Sequence, residues 1–380
     1  MRAMPTRQAR YIMVGGFLGA GKSTAILKLA EHLTAQGLRV GLITNDQGNG
    51  LVDTARGRAG GFAVEEIAGG CFCCRFNSLV EASHRLAEQA APDVFIAEPV
   101  GSCTDLVATV SFPLRRLYGE DYRIAPLSVL VDPIRALRIL DVEQGKKFSD
   151  KVTYIYLKQL EEADIIVINK CDLLDAPRRA VLRAALHARF PAAEIFECSA
   201  RDGAGLVPWF ERITTTEFSA VHAMEMDYAT YGEGEALLGW LNATLTMTAK
   251  ELVDGNALLL DLATRLHKRL NAAHGEVAHL KMTLLPTEDE MDIGVVNLVR
   301  SDHQPELSIS LMEELQQGDL ILNIRAEVAP ETLETATSEA LAECARENNG
   351  VKFQIKHIEH FRPSPPKPVH RMSESAAAKV

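Results

Sequence analysis

Residues 11–24 read YIMVGGFLGAGKST, an apolar run that gives way to glycines, then to a lysine and two hydroxyls. The spacing is G-x-x-x-x-G-K-[ST], with Gly16, Gly21, Lys22 and Ser23 at the fixed positions. It follows an apolar strand and opens a helical pattern, the setting in which such a loop wraps phosphate. Backbone amides freed by the glycines turn inward on the anion, Lys22 reaches the β- and γ-phosphates, and the Ser23 hydroxyl suits Mg²⁺. The candidate phosphate-binding set is Gly16, Gly19, Ala20, Gly21, Lys22, Ser23 and Thr24.

Outward from this loop, short apolar runs alternate with helical segments: RVGLITN, FAVEEI, DVFIAEP, LSVLVDP, DIIVINK and EIFECSA. Strands apolar on both faces and separated by helices predict a mostly parallel sheet covered on both sides, an α/β P-loop NTPase domain over 1–211. A polar, glycine-spotted stretch at 212–240 reads as a linker. Beyond it the order becomes strand, helix, two or three strands, helix, strand, which predicts a smaller ferredoxin-like α+β domain over 241–361. The proline-rich tail, 362–380, is expected to be disordered.

The chain has 380 residues and a formal net charge of −11 without a basic stripe, which argues against nucleic acid as a partner. No apolar segment is long enough for a signal core or a membrane span, so a cytoplasmic protein without membrane association is expected. Seven cysteines, an odd number unevenly spaced, argue against a disulfide framework in such a compartment.

The base is read from IIVINKCDLL, which carries Asn169, Lys170 and Asp172 as N-K-x-D. A carboxylate at Asp172 accepts from both the ring N–H and the exocyclic amine of guanine, whereas adenine leaves it unpaired, so GTP is the expected nucleotide. Ser199 and Ala200, in CSARDG one strand later, would line the base. Glu98, ending the strand in VFIAEP, suits Mg²⁺ as a Walker-B-like acid. TNDQGNG has the composition of a switch loop, with Asp46 a further magnesium-linked acid and Gln47 a candidate to orient the attacking water. Lys22, Asp46 and Glu98 are the expected catalytic residues.

IAGGCFCCRF places Cys71, Cys73 and Cys74 within one loop. Soft thiolates at this spacing favour Zn²⁺, with Co²⁺ chemically close and Cu⁺ open. Two other readings stand beside the metal: buried packing, and redox chemistry at Cys71. Without metal, three adjacent thiols should keep at least one proton near neutral pH. Cys103, Cys171, Cys198 and Cys344 receive no ligand role, nor do His267, His274, His279, His357 and His360.

P-loop, Glu98-x-x-Gly101, N-K-x-D and GGCFCC, in this order, resemble the CobW-family GTPases, relatives of the nickel-enzyme maturation GTPases HypB and UreG. The resemblance implies that Gly70 to Cys74 joins the nucleotide core to a zinc or cobalt site. It implies metal trafficking or cofactor assembly for a client metalloprotein or corrinoid protein, with a homodimer as a further candidate partner. Family members commonly read N-E-F-G-E where this chain has Thr44, Asp46, Gln47 and Asn49 nearby, and EPVG lacks the family's hydroxyls. Slow intrinsic GTP hydrolysis is expected, since no arginine finger is evident. The alternative is a regulatory GTPase or activase of a corrinoid- or metal-dependent enzyme, with structural cysteines.

Overall fold

The computed structural model describes residues 8–45, 61–220, 222–289, 292–348 and 350–374. Eight strands build its first sheet: β1 (Ala9–Gly16), β2 (Val40–Asn45), β3 (Ala63–Ile67), β4 (Val94–Glu98), β5 (Tyr122–Ile124), β6 (Ser128–Val131), β7 (Ile165–Ile168) and β8 (Glu194–Glu197). Their order is β3-β2-β4-β1-β6-β7-β8, with β5 also on β1, and every pairing is parallel. The central strand buries Tyr11, Ile12 and Val14 completely, and all four residues of β7 are buried, as helices on both faces require. Helix α1 (Lys22–Ala35) turns Ala25, Ile26, Leu29, Ala30 and Leu33 inward, against β1, β2 and β4. The ends of β1, β2, β4, β6 and β7 therefore carry the candidate site along the carboxyl edge of a parallel sheet, where such folds bind ligands.

The chain divides into two compact units, one comprising residues up to Tyr231 together with Pro366 onward, the other running Gly232–Pro365. The second is a six-stranded antiparallel sheet in the order β12-β11-β10-β13-β9-β14. Its strands are β9 (Gly239–Val253), β10 (Glu276–Pro286), β11 (Gly294–Leu298), β12 (Glu306–Ile309), β13 (Leu315–Glu327) and β14 (Lys352–Phe361). Without the β11–β12 hairpin the order β10-β13-β9-β14 is the ferredoxin-like one expected. Helices Gly255–Ala272 and Pro330–Glu347 supply leucines and alanines to its core. Among the described residues no helix is long and apolar enough to cross a membrane.

Two features differ from the sequence reading. The 212–240 stretch holds the end of helix Leu206–Thr215 and a helix Tyr228–Leu237, and β9 begins at Gly239. Gly232 and Gly234 hid the second helix, since glycine weakens the helical signal without forbidding the conformation.

The tail is the second correction. Residues 366–374 are laid along the first unit: Val369 N–H donates to Cys73 O at 2.9 Å and Met372 N–H to Ala108 O at 2.9 Å. Arg371 Nε donates to Asp105 Oδ2 at 2.8 Å, and the His370 ring meets Phe76 edge-on at 5.0 Å. Proline removes donors from such a segment, yet the amides that follow the prolines still pair, which composition does not register.

Candidate nucleotide and thiol site

The phosphate loop is set by backbone conformations that glycine permits: φ is 132° at Gly16, 80° at Gly19 and 89° at Gly21. Gly21 also caps α1, so the amides of the first helical turn face the space where an anion would lie. Lys22 is buried, and Ser23 Oγ donates to Glu98 Oε1 at 3.0 Å across the ends of β1 and β4. A hydroxyl and a carboxylate held together are the oxygen donors Mg²⁺ takes. Asp46 and Gln47 lie outside the described residues, so Ser23 and Glu98 are the expected magnesium residues placed here.

N-K-x-D divides its work. Asn169 Nδ2 donates to Ala20 O at 2.9 Å while its Oδ1 accepts from Ala200 N–H at 3.0 Å, so one side chain ties the phosphate loop to the loop expected to line the base. Lys170, in the left-handed region at φ 56°, sends Nζ to Gly19 O at 2.7 Å and Asp132 Oδ2 at 2.9 Å. Asp172 stands exposed on the short turn Cys171–Leu173. Ser199 and Ala200 are buried on the adjoining loop. Sequence reasoning missed Asp132: it is 2% exposed, caps helix Pro133–Ile139 through Arg135 N–H and neutralises Lys170. The signal was an acid ending the apolar run LSVLVDP, as Glu98 ends its own.

The cysteines follow two glycines at φ 76° (Gly69) and 151° (Gly70), in a turn closed by the amides of Cys74 and Arg75 on Cys71 O. Their Sγ atoms lie within 4.8 Å of one another: 2.8 Å from Cys71 to Cys73, 3.4 Å from Cys71 to Cys74 and 3.7 Å from Cys73 to Cys74. Cys71 and Cys73 are buried, whereas Cys74 is partly exposed and accepts a hydrogen bond from Lys367 N–H at 3.1 Å. No other group of three metal-binding side chains is this close among the described residues. Asn45, ending β2, donates to Ile67 O at 2.9 Å and Gly70 O at 2.7 Å. It fixes the cysteine turn to the strand that leads into the expected switch.

A fourth buried thiol, Cys103, bears on the protonation of the group. Hydrogen bonding from Cys103, then from Cys73 and Cys74, holds the Cys71 thiol well below its usual range. Contacts with Cys103 and Cys71, followed by burial, push Cys73 well above it, and Cys71 is the main cause that raises Cys74 to about 11. The group thus favours one thiolate shared among neighbouring S–H donors, in line with the retained protons expected. His267, by contrast, is buried against Ser301 O at 2.7 Å, and His357 and His360 face Glu359 and Glu334 in the other unit.

Beyond Cys103 the chain enters a π-helical turn, Val107–Ser111, of the kind that recurs at functional sites. Glu162 anchors its start, accepting from Thr104 Oγ1 and Val107 N–H, each at 3.0 Å. Burial pushes this carboxyl from its ordinary 4.5 up to about 8. Between those values the native chain keeps a proton that the unfolded chain has lost, so the stability contributed by Glu162 falls as pH rises and is gone above about 8. The limiting slope is ~1.4 kcal/mol per pH unit. Urea unfolding at pH 5.5 and pH 8 should therefore show Glu162→Gln gaining on the wild type by at least ~1 kcal/mol at the higher pH. Parallel pH curves for the two chains would contradict the buried-acid assignment.

Residues 10–197 match the model of the CobW/HypB/UreG nucleotide-binding domain. The zinc chaperone CobW of Sinorhizobium sp is 29% identical over 198 residues, covering 47% of this chain and 55% of that protein. The zinc chaperone YeiR of Escherichia coli (strain K12) is 31% identical over 162 residues, 42% of this chain and 46% of its own. The chain thus spans about half the length of the curated relatives it matches. Among solved structures, the hydrogenase maturation factor HypB from Archaeoglobus fulgidus overlays with a TM-score of 0.37 at 22% identity, over 53% of this chain and 87% of that one.

Proposed function

From the match of residues 10–197 to the CobW/HypB/UreG nucleotide-binding domain we propose that the chain is a GTP-hydrolysing metallochaperone that loads a client metalloprotein. The observation that carries the reading is Asn45, whose amide joins the end of β2 to the carbonyls of Ile67 and Gly70. Strand β2, which runs to the phosphate edge and leads into the proposed switch at 46–50, is thereby tied to the turn bearing three thiols. Movement of that switch with nucleotide state would reach the sulfurs through two hydrogen bonds.

In the hydrolytic step Asp172 selects guanine, the α1 amides and Lys22 hold the phosphates, and Lys22 stabilises charge developing on the transferred group. Ser23 and Glu98 would hold Mg²⁺, which supplies charge neutralisation between the phosphates. Asp46 and Gln47 are proposed to assist at the magnesium and the attacking water. Turnover is proposed to be slow without an arginine supplied in trans. The cargo is Zn²⁺ or Co²⁺ on Cys71, Cys73 and Cys74, and its uptake releases the protons those thiols retain, so affinity rises with pH. The client is a metalloprotein or corrinoid protein and the setting the cytoplasm.

Equilibrium Zn²⁺ and Co²⁺ titrations with GDP and with a non-hydrolysable GTP analogue test this. Affinities should differ at least ~tenfold between the nucleotides, a coupling of ~1.4 kcal/mol. Cys73→Ser should weaken binding in both states. Equal affinities, unmoved by Cys73→Ser, would instead support a regulatory GTPase with structural cysteines.

A further inference from the structure

We propose that residues 366–374 form a strap over the exposed side of the cysteine turn, latched by the Arg371–Asp105 ion pair, and that this strap sets how fast metal enters and leaves the thiols. It rests on the thiol-site reading above and names what governs access to that site. Of the three cysteines in the turn only Cys74 is partly exposed, and the amide of Lys367 donates to its Sγ at 3.1 Å. Two residues on, Val369 N–H donates to Cys73 O at 2.9 Å. The His370 ring then stands edge-on to Phe76, which opens the helix Phe76–Ala90 just after the turn. The strap thus meets the turn at a sulfur, at a carbonyl and at the helix that follows it.

Little in the strap's own composition would hold it there. Pro366 and Pro368 bring no N–H groups, each main-chain bond is worth little net of the water bonds it replaces, and every ordered residue costs conformational entropy. Val369 is 45% exposed, so apolar burial of that side chain does not anchor it either. The charged tie is Arg371, whose Nε donates to Asp105 Oδ2 at 2.8 Å and whose second guanidinium nitrogen donates to Met224 O at 3.0 Å. Asp105 is 1% exposed and also accepts from Tyr228 Oη at 2.5 Å. A buried carboxylate deprived of its cation is costly, so the pair resists parting. Past it, Met372 N–H on Ala108 O and Ala223 N–H on Ser373 O continue the seam.

Weak backbone bonds and one charged latch make a segment that lifts as a unit, because without the latch too little offsets the cost of ordering it. Asp105 lies on the stretch of chain that leaves β4 past Glu98, the acid bonded to Ser23, so the latch is anchored on the segment that carries the expected magnesium acid. With the strap down, Cys74 is shielded and metal is retained. With it lifted, the outermost sulfur is open to a client's ligand.

Alkylation of the metal-free, reduced full-length chain with iodoacetamide, followed cysteine by cysteine in the mass spectrometer, tests the cover. Arg371→Leu should speed labelling of Cys74 at least ~tenfold, whereas Arg371→Lys, which keeps the charge, should stay near the wild type. Buried Cys171 and Cys198 of the same unit should not change in either. Val369→Pro, which removes the donor to Cys73 O and leaves Asp105 paired, should act in the same direction as Arg371→Leu, and it decides the matter where that variant does not fold. In the zinc-loaded chain both variants should pass zinc to a chromophoric chelator at least ~tenfold faster while binding GDP as the wild type does. Unchanged labelling and release would overturn the strap and leave the thiol site standing, and so would faster labelling that spreads to Cys171 and Cys198, the mark of general unfolding. A chain that takes up no zinc would overturn the metal reading and the strap's part in metal exchange, while the labelling would still decide whether the strap covers Cys74.

Discussion

Gly16→Ala is expected to abolish nucleotide binding and to lower the melting temperature sharply. Gly16 ends β1 at φ 132°, a conformation that L side chains rarely adopt, and sits in register with Leu130 of β6. A Cβ there would stand 2.4 Å from Leu130 O and 2.9 Å from Leu130 N, both backbone atoms of a fully buried strand residue. Neither can move without parting the two strands that frame the phosphate loop. Backbone strain and overpacking together cost about 2–5 kcal/mol, a large share of an ordinary domain's 5–15 kcal/mol. Gly37→Ala isolates the first term, since Gly37 shares a positive φ of 82° but has nothing within 4 Å of an added Cβ. That variant should lose only about 1 kcal/mol and bind a fluorescent GDP analogue normally. Normal GDP binding by Gly16→Ala would show that the loop does not depend on its seat against β6.

The parallel sheet was legible because burial on both faces leaves continuous apolar runs, and IIVI in β7 or VFIA in β4 needs no tertiary knowledge to be read. The phosphate loop, N-K-x-D and the cysteine triplet stand out in the sequence for a related reason: each is one loop whose expected role rests on local spacing. β5 was not, since three residues with one exposed carry no period. Nor was the bearing of Cys103 on the Cys71 thiol, which depends on β4 lying beside β2. Asn45 was equally hidden, since nothing in TNDQ announces that its amide will bond Ile67 and Gly70. What spacing cannot encode is which loops the sheet order makes neighbours, and the proposed coupling of nucleotide to metal lies there.

That division of labour sets the largest specificity change. Asp172→Asn is expected to weaken GTP binding roughly a hundred- to a thousandfold and to create affinity for xanthosine triphosphate. Asn169 is committed to Ala20 O and Ala200 N–H, and Lys170 to Gly19 O and Asp132, so neither side chain is available to read the base edge. Their bonds instead hold the turn Cys171–Leu173 at the mouth of the site with Asp172 exposed on it. As a carboxylate it would accept two guanine N–H groups, each such charge-assisted bond contributing about 1.5–3 kcal/mol. An asparagine offers one acceptor and one donor, which meets the guanine amine with like polarity but matches the ring N–H and added carbonyl of xanthine. Because the exposed side chain supports no core packing, the variant should melt near the wild type, within ~0.5 kcal/mol. Competition of both triphosphates against a fluorescent nucleotide gives the ratio directly. Equal weakening of both, with the fold intact, would mean that Asp172 does not contact the base, and the assignment of GTP would fall with it.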